Sequence, residues 1–184
     1  LLDYPAIKNN KKKFLSYVQL INNKKFIVSK KVASAIKNTA LTLQFKGVQG
    51  QSTKGKKANA LRGYKLIYDD PLSSVEAKKN AAYNIAVLYH KLGYADKLYT
   101  WAKKSASLMS SKDILQFSNS FSLFSNDLFN RFRTKNSMTL LRSILKKTCR
   151  SKNEKALDLQ KQYIVQKYTQ GKLLRSDLDR PCTL

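Results

Sequence analysis

The sequence predicts an all-α fold. The chain has 184 residues, 42% of them hydrophobic, which is enough for one domain with a sizeable core. It contains only six Gly and three Pro, too few for the many turns of a β-sandwich. Apolar residues recur every three to four positions through most of the chain, the spacing of a buried helix face. No apolar run approaches the roughly 18 residues of a membrane span, so no transmembrane segment is expected.

Residues 1–45 are predicted to form basic N-terminal helices. Pro5 suits the first position of a helix whose apolar residues lie between Phe14 and Ile21. A second helix is expected from about Ser29 to Gln44. Its predicted buried face consists of four residues at helical spacing: Val32, Ile36, Ala40 and Leu43. Gly and small polar residues then favour a Gly-rich basic loop over 46–57.

Sharper helical signals follow this loop. A helix is expected over 58–69, and Pro71 then disfavours helical backbone in the residue before it. Ser73 and Glu76 fit a capping box, in which the Ser hydroxyl accepts a free backbone N–H and the Glu carboxylate bonds back to the cap. The next helix is therefore expected over 74–92.

The chain after this helix continues the pattern. Gly93 suits the left-handed residue that ends a helix, and another helix is expected over 95–109. Ser110 or Ser111 then begins an amphipathic helix. The apolar stripe of that helix has spacings of three and four: Ile114, Phe117, Phe121, Phe124, Leu128 and Phe132. Such a stripe is far more typical of a core than of a ligand pocket.

Two further helices and a tail complete the prediction. Asn136 or Ser137 begins a short helix, and Asn153 caps a last one that Gly171 ends. Residues 172–184 are expected to form a tail. The total is about eight helices, with 58–171 and the N-terminal helices packed as one domain.

The charge is strongly positive and unevenly placed. The chain has 36 basic and 11 acidic residues, a net charge of +25, and no acid lies between Tyr4 and Tyr68. Such a field attracts nucleic acid, cell-envelope glycan or an acidic protein. Ten lysines are candidates for contact with an anionic partner: Lys11, Lys12, Lys13, Lys24, Lys25, Lys30, Lys31, Lys54, Lys56 and Lys57. Only seven bases are Arg, however, and this composition also fits a simply solvated basic surface.

Residues 81–93 resemble the first helix of a tetratricopeptide repeat. Ile85, Ala86, Tyr89 and Gly93 occupy the places of the large apolar, small, aromatic and glycine residues of that family. The preceding helix resembles the second helix of an earlier repeat through Ala60, Tyr64, Ile67 and Pro71.

The resemblance covers about residues 58–109 and weakens within them. After Gly93 the family pattern is small, large aromatic, small, but the chain has Leu98, Ala102 and Ser105, with Trp101 as the nearest aromatic residue. The resemblance implies an α-solenoid or repeat-like helical bundle, in which 110–171 form divergent repeats or a capping region.

The resemblance also implies a function. Members of this family bind other proteins in a concave groove and carry out no chemistry, so we expect a non-enzymatic scaffold that binds a partner protein, preferably an acidic one. The groove candidates are Tyr83, Asn84, Val87 and His90. Two alternatives stay open: a binder of anionic polymer, and an envelope hydrolase that carries a helical scaffold.

Motifs for chemistry are sparse. Residues 50–57 come within one position of the phosphate-binding loop G-x-x-x-x-G-K-[ST], but Lys57 replaces the hydroxyl that holds Mg²⁺. His90 is the only histidine, which excludes a metal site built on several imidazoles. Neither a cofactor nor a metal is expected.

Cys149 and Cys182 are the only cysteines. A disulfide between them would anchor the tail and would favour an extracytoplasmic location, whereas two thiols would fit the cytosol equally well. Because the chain begins with Leu1, it is expected to be a processed or cut piece of a longer product.

Overall fold

The computed structural model describes residues 29–45, 54–151 and 153–174, and every regular element in these ranges is helical. The predicted all-α class is confirmed. The elements in chain order are α1 (Lys30–Phe45), α2 (Lys54–Asp69), α3 (Val75–Leu92), α4 (Ala95–Leu108), α5 (Ser111–Gln116), α6 (Ser118–Asn126), a π-helix (Asp127–Arg131), α7 (Asn136–Thr148) and α8 (Glu154–Thr169).

The chain divides into two compact units, of which the first ends at Leu88 and the second begins at Tyr89. The division falls inside α3, where the sequence places no boundary. The predicted packing of 58–171 and the N-terminal helices as one domain stays a prediction. The first predicted helix, with Pro5 at its start, lies outside the described residues.

The N-terminal boundary of α2 differs from the sequence prediction. The helix begins at Lys54, so residues 54–57, which were expected to belong to the loop 46–57, are helical. The rest of that predicted loop lies outside the described residues. The bounds of α1 agree closely with the predicted helix from Ser29 to Gln44.

The buried face of α1 is polar. Ser34 and Asn38 are buried, whereas Val32 is 48% exposed and Ile36 is half-buried, so the apolar face predicted for this helix is wrong at Val32. The Ser34 hydroxyl donates to Asp70 Oδ2, and Asn38 Nδ2 donates to Ser73 Oγ. These hydrogen bonds make burial of the polar residues possible.

The predicted capping box at α3 is also wrong. The hydroxyl that accepts the N–H of Ala77, at 3.1 Å, belongs to Ser74. Ser73 instead donates to the carbonyl of Ile67 at 2.6 Å, and its hydroxyl oxygen accepts from the Asn38 amide. Glu76 does not return to the cap; its carboxylate pairs with the ammonium of Lys79 and accepts from the Asn80 amide.

The predicted amphipathic helix after Met109 is interrupted. Ser110 caps α5 with a capping box that it forms with Asp113, which confirms the predicted start. At Phe117 the backbone leaves the helical region, with φ −100° and ψ 15°, and α6 follows. The final residues of the stretch form the π-helix. Four residues of the stripe are nevertheless buried: Ile114, Phe121, Phe124 and Leu128.

Helix α7 is the centre of the second unit, where it contacts α4, α5, α6, the π-helix and α8. Its buried residues include Leu140, Leu141, Ile144 and Leu145, which lie on one face and form the core with the aromatic stripe.

From the surface of α7, Lys147 Nζ donates to the carbonyls of Ala106, Ser107 and Met109 at 2.8–2.9 Å. The Ala106 carbonyl also accepts the N–H of Met109 at 3.3 Å. All three carbonyls lie at the end of α4, so Lys147 caps that helix.

The predicted ends of two helices are confirmed. Gly93, after α3, has φ +79°, and Gly171, after α8, has φ +63°. Both are in the left-handed region that glycine adopts without a steric penalty. Asn153 caps α8, with its Oδ1 accepting the N–H of Lys155 at 3.0 Å.

Candidate functional site

A groove of about 400 Å³ lies between α1 and α3 in the first unit. Half of its lining residues are short: Ala35, Thr39, Thr42, Ser74 and Ala77. Short side chains leave the backbone of both helices accessible to a chain that enters the groove. Leu72, which is 46% exposed, adds a large apolar surface at the turn between α2 and α3.

The floor of this groove is fixed by a polar network. Asn38 lines the groove and also donates to Ser34 Oγ at 3.3 Å, while Ser34 donates to Asp70. The Ser34 hydroxyl and the N–H of Leu72 hold the pKa of the Asp70 carboxyl below its ordinary value. The network therefore joins α1 to the turn that begins α3.

None of the four predicted groove residues lines this groove. Glu76 and Asn80 line it, and Tyr83 and Val87 follow on the same helix face at spacings of three and four. Tyr83 and Val87 are half-buried. Asn84 lies beside this face, with its amide donating to the carbonyl of Asn80 at 2.8 Å.

The fourth predicted groove residue, His90, is engaged by a carboxylate. Its Nε2 lies 2.6 Å from Asp127 Oδ2, and its ring centroid lies 5.4 Å from that of Phe124. Arg131 Nη1 lies 3.8 Å from the same carboxylate oxygen. The sequence did not indicate this partner, because Asp127 is 37 positions away and no pattern links the two residues.

The pair of His90 and Asp127 has part of the geometry of a general base. A carboxylate on one ring nitrogen orients the imidazole, and the π-helix that carries Asp127 is an element frequent at functional sites. A hydrolase would also need a nucleophile. Among the described residues, the side-chain contacts of His90 are with Asp127 and Phe124 and include no hydroxyl or thiol. The arrangement fits a structural connection between α3 and the π-helix.

Five of the ten lysines predicted to contact an anionic partner lie within the described residues, at the start of two helices. Lys30 and Lys31 are exposed in the first turn of α1, and Lys31 also lines the groove. Lys54, Lys56 and Lys57 lie in the first turn of α2. The remaining five candidates, from Lys11 to Lys25, lie outside the described residues.

Most residues that carry the repeat resemblance occupy core positions. Ile85 and Ala86 are fully buried and Tyr89 is nearly so. Leu98, Ala102 and Ser105 of α4 are also fully buried. Burial of these residues agrees with the roles that the resemblance implies. Membership of the repeat family itself stays a prediction.

The predicted disulfide stays open. Cys149 is the half-buried C-cap of α7, and its carbonyl accepts from Gln160 Nε2 at 3.1 Å. Cys182 lies outside the described residues.

Neither a metal site nor a membrane-spanning helix is found in the described ranges. No group of three or more His, Cys, Asp or Glu lies close enough together there to hold a metal ion. No described helix combines the length and the apolar character that crossing a membrane requires. In comparisons with protein-family models, curated proteins and solved structures, nothing matches this chain.

Proposed function

We propose that the chain is a non-enzymatic helical module that binds a partner protein in the groove between α1 and α3. The groove itself is the observation that supports this most directly, with its short lining residues and the exposed side chain of Leu72. Val75 lies between the lining residues Ser74 and Glu76 and is 65% exposed. Apolar residues at a concave surface favour a protein segment as the occupant, because binding removes them from water.

The charge of the chain indicates what this partner is like. Residues 4–68 contain 15 basic residues and no acid, and Lys31 from this stretch lines the groove. A positive surface next to the binding site speeds encounter with an acidic segment. We therefore propose an acidic partner, whose apolar side chains bind the groove after electrostatic recruitment.

A substitution that fills the groove tests the proposal. Peptides are selected from a random library on the wild-type chain, and their affinities are then measured for two variants. Ala77→Leu places a larger side chain in the groove and should weaken the selected peptides by about tenfold or more. Ala58→Leu adds the same volume at an exposed position of α2 and should change affinity by less than about twofold. Equal affinity for both variants would contradict a binding site in this groove.

An anionic polymer is the alternative partner, favoured by the exposed Lys30 and Lys31 of α1. Surface plasmon resonance on the identified partner distinguishes binding of a protein in the groove from binding of an anionic polymer. Replacing Lys11, Lys12 and Lys13 with Glu should mainly slow association and flatten its salt dependence. Replacing Tyr83 and Val87 with Ala should instead accelerate dissociation, because it removes buried contact area. If the Lys changes abolish binding and the α3 changes have no effect, the polymer is the partner.

A further inference from the structure

A second cleft, separate from the groove, lies between α7 and α8 in the second unit. It has a volume of about 230 Å³, and four of its lining residues are cations: Lys135, Arg142, Lys167 and Lys172. None of the described residues that line it is acidic. Four positive charges around one small volume repel one another, and a bound anion relieves that repulsion.

Three of these cations have no carboxylate partner among the described residues. Lys135, Arg142 and Lys172 take part in none of the ion pairs of the second unit, such as those of His90, Arg131 and Lys161, whose carboxylates lie outside the cleft. Within the part of the chain that the structure describes, no carboxylate therefore neutralises these three charges.

One residue of the cleft is buried and contacts two of the cations. Tyr163 is 3% exposed, and its hydroxyl accepts from Arg142 Nη2 at 3.5 Å. Lys167 Nζ lies 5.4 Å from the centroid of the same ring. After the left-handed Gly171, the backbone N–H of Lys172 donates to the Lys167 carbonyl at 2.9 Å. The helix end thus places the backbone of Lys172 beside the cleft.

The other lining residues indicate what the anion is attached to. Met138 contributes a thioether and Tyr163 an aromatic ring, while Thr139 and Gln170 offer a hydroxyl and an amide. The volume exceeds that of a phosphate group alone. An apolar wall beside a cationic one fits a molecule that carries a charged group on a small organic body.

We propose that this cleft binds a small organic phosphate, with the phosphate group among Arg142, Lys135 and Lys172 and the organic group against Met138 and Tyr163. Arg supplies a planar fork of donors that matches phosphate oxygens, and the lysines add point charges. A single small ligand is favoured over a nucleic acid strand. The cations surround one volume, whereas a strand requires charges spaced along its backbone. The proposal does not depend on the groove of the first unit.

Titration of the intact chain with phenyl phosphate tests the proposal, with isothermal calorimetry at constant ionic strength as the readout. We expect saturable binding of one ligand per chain, at least about threefold tighter than that of inorganic phosphate. Arg142→Gln and Lys172→Gln should each weaken binding by about fivefold or more. The matched control is Lys146→Gln, which removes an exposed charge one turn further along α7 and should change affinity by less than about twofold.

Several outcomes would overturn the proposal. Absence of saturable binding contradicts the site, and equal affinity for inorganic phosphate contradicts the role of the apolar wall. An equal loss of affinity in Lys146→Gln and in the cleft variants means that the general positive charge of the surface attracts the phosphate and that the cleft does not.

Thermal melting of each variant checks its fold. Because Arg142 contacts Tyr163, the Lys172→Gln result decides the matter if Arg142→Gln is unstable. A single-stranded oligonucleotide that loses affinity equally with all three variants would assign the surface to a polymer instead.

Discussion

Ser34 and Asn38 occupy the buried face of α1 although both are polar. Each has a side-chain partner about 35 positions away, Asp70 for Ser34 and Ser73 for Asn38. A buried polar group that loses its partner costs about 1–3 kcal/mol, more than the bond itself contributes. These two hydrogen bonds therefore select one position of α1 against the turn between α2 and α3.

The hydrogen bond to Asp70 makes stability dependent on pH. The pKa of Asp70 is lowered in the folded state, chiefly by the Ser34 hydroxyl. This contribution is present above the unfolded pKa of about 3.9 and is lost as pH falls through the folded value. Ser34→Ala should lower the free energy of unfolding at pH 7 by up to about 1 kcal/mol, a figure limited by solvent screening of the carboxylate. The deficit should shrink below about pH 4.

Urea denaturation at several pH values measures this effect, and Asp70→Asn provides the control. In the Asp70→Asn background no carboxylate titrates at this position, so the cost of Ser34→Ala should no longer vary with pH. A pH-dependent cost in that background would contradict the assignment.

The sequence did not indicate these residue-scale features, for a physical reason. Helical spacing of apolar residues assigned Val32 to the buried face, but the burial of Ser34 depends on a partner that is distant in the chain. The carboxylate on His90 was missed for the same reason. Local patterns contain no information on which distant polar groups will meet.

At the scale of elements, local sequence signals predicted two helix starts correctly. The starts of α5 at Ser110 and of α8 at Asn153 were predicted, because capping uses residues within three positions of each other. The interruption at Phe117 was not predicted. The apolar spacing continues through it: one stripe residue is buried before the break and three are buried after it. Periodicity thus located the buried face without showing where the backbone changes conformation.

Ala86 offers a test of helix packing in α3. It is fully buried at the place of the small residue in the repeat resemblance, where a larger side chain has no room. Ala86→Leu should destabilise the chain by about 1–3 kcal/mol through overpacking. Thermal melting measures the change, and Ala58→Leu, at an exposed position of α2, should have little effect. An unchanged melting temperature for Ala86→Leu would contradict the repeat interpretation of this segment.

At the scale of the whole molecule, the sequence established the class and the charge. The residues that line the groove were not predicted. None of Tyr83, Asn84, Val87 and His90 is among them, although Tyr83 and Val87 share the helix face of Asn80. The wall on α1 was not predicted, because nothing in a linear pattern shows which helices lie side by side. The cationic cleft was missed for the same reason. Its residues come from two helices, and the absence of acids among the described residues that line it is a property of their pairing.

The two cysteines lead to a prediction for the complete chain. A bridge between Cys149 and Cys182 would close a loop of 33 residues and stabilise the fold by roughly 3–4 kcal/mol in the entropic model, less any strain. Intact mass measured without reductant should be lower than that of the reduced chain by the mass of two hydrogen atoms. Two thiols that alkylate in freshly purified, never-reduced protein would contradict the bridge and the extracytoplasmic location expected from it.

The cap that Lys147 places on α4 has a consequence for chemical labelling. Its ammonium donates to three carbonyls, although the residue lies at the surface. A lysine amine attacks an acylating reagent only when its nitrogen is accessible, so the three carbonyls around Nζ should protect Lys147. The neighbouring Lys146, also exposed on α7, has no such contacts among the described residues and should be acetylated first. Peptide mass spectrometry after brief treatment with an N-hydroxysuccinimide ester measures both rates; equal rates would mean that the cap does not persist in solution. If Lys147 reacts more slowly, two surface lysines of one helix differ in reactivity because the main-chain oxygens of another helix bind only one of them.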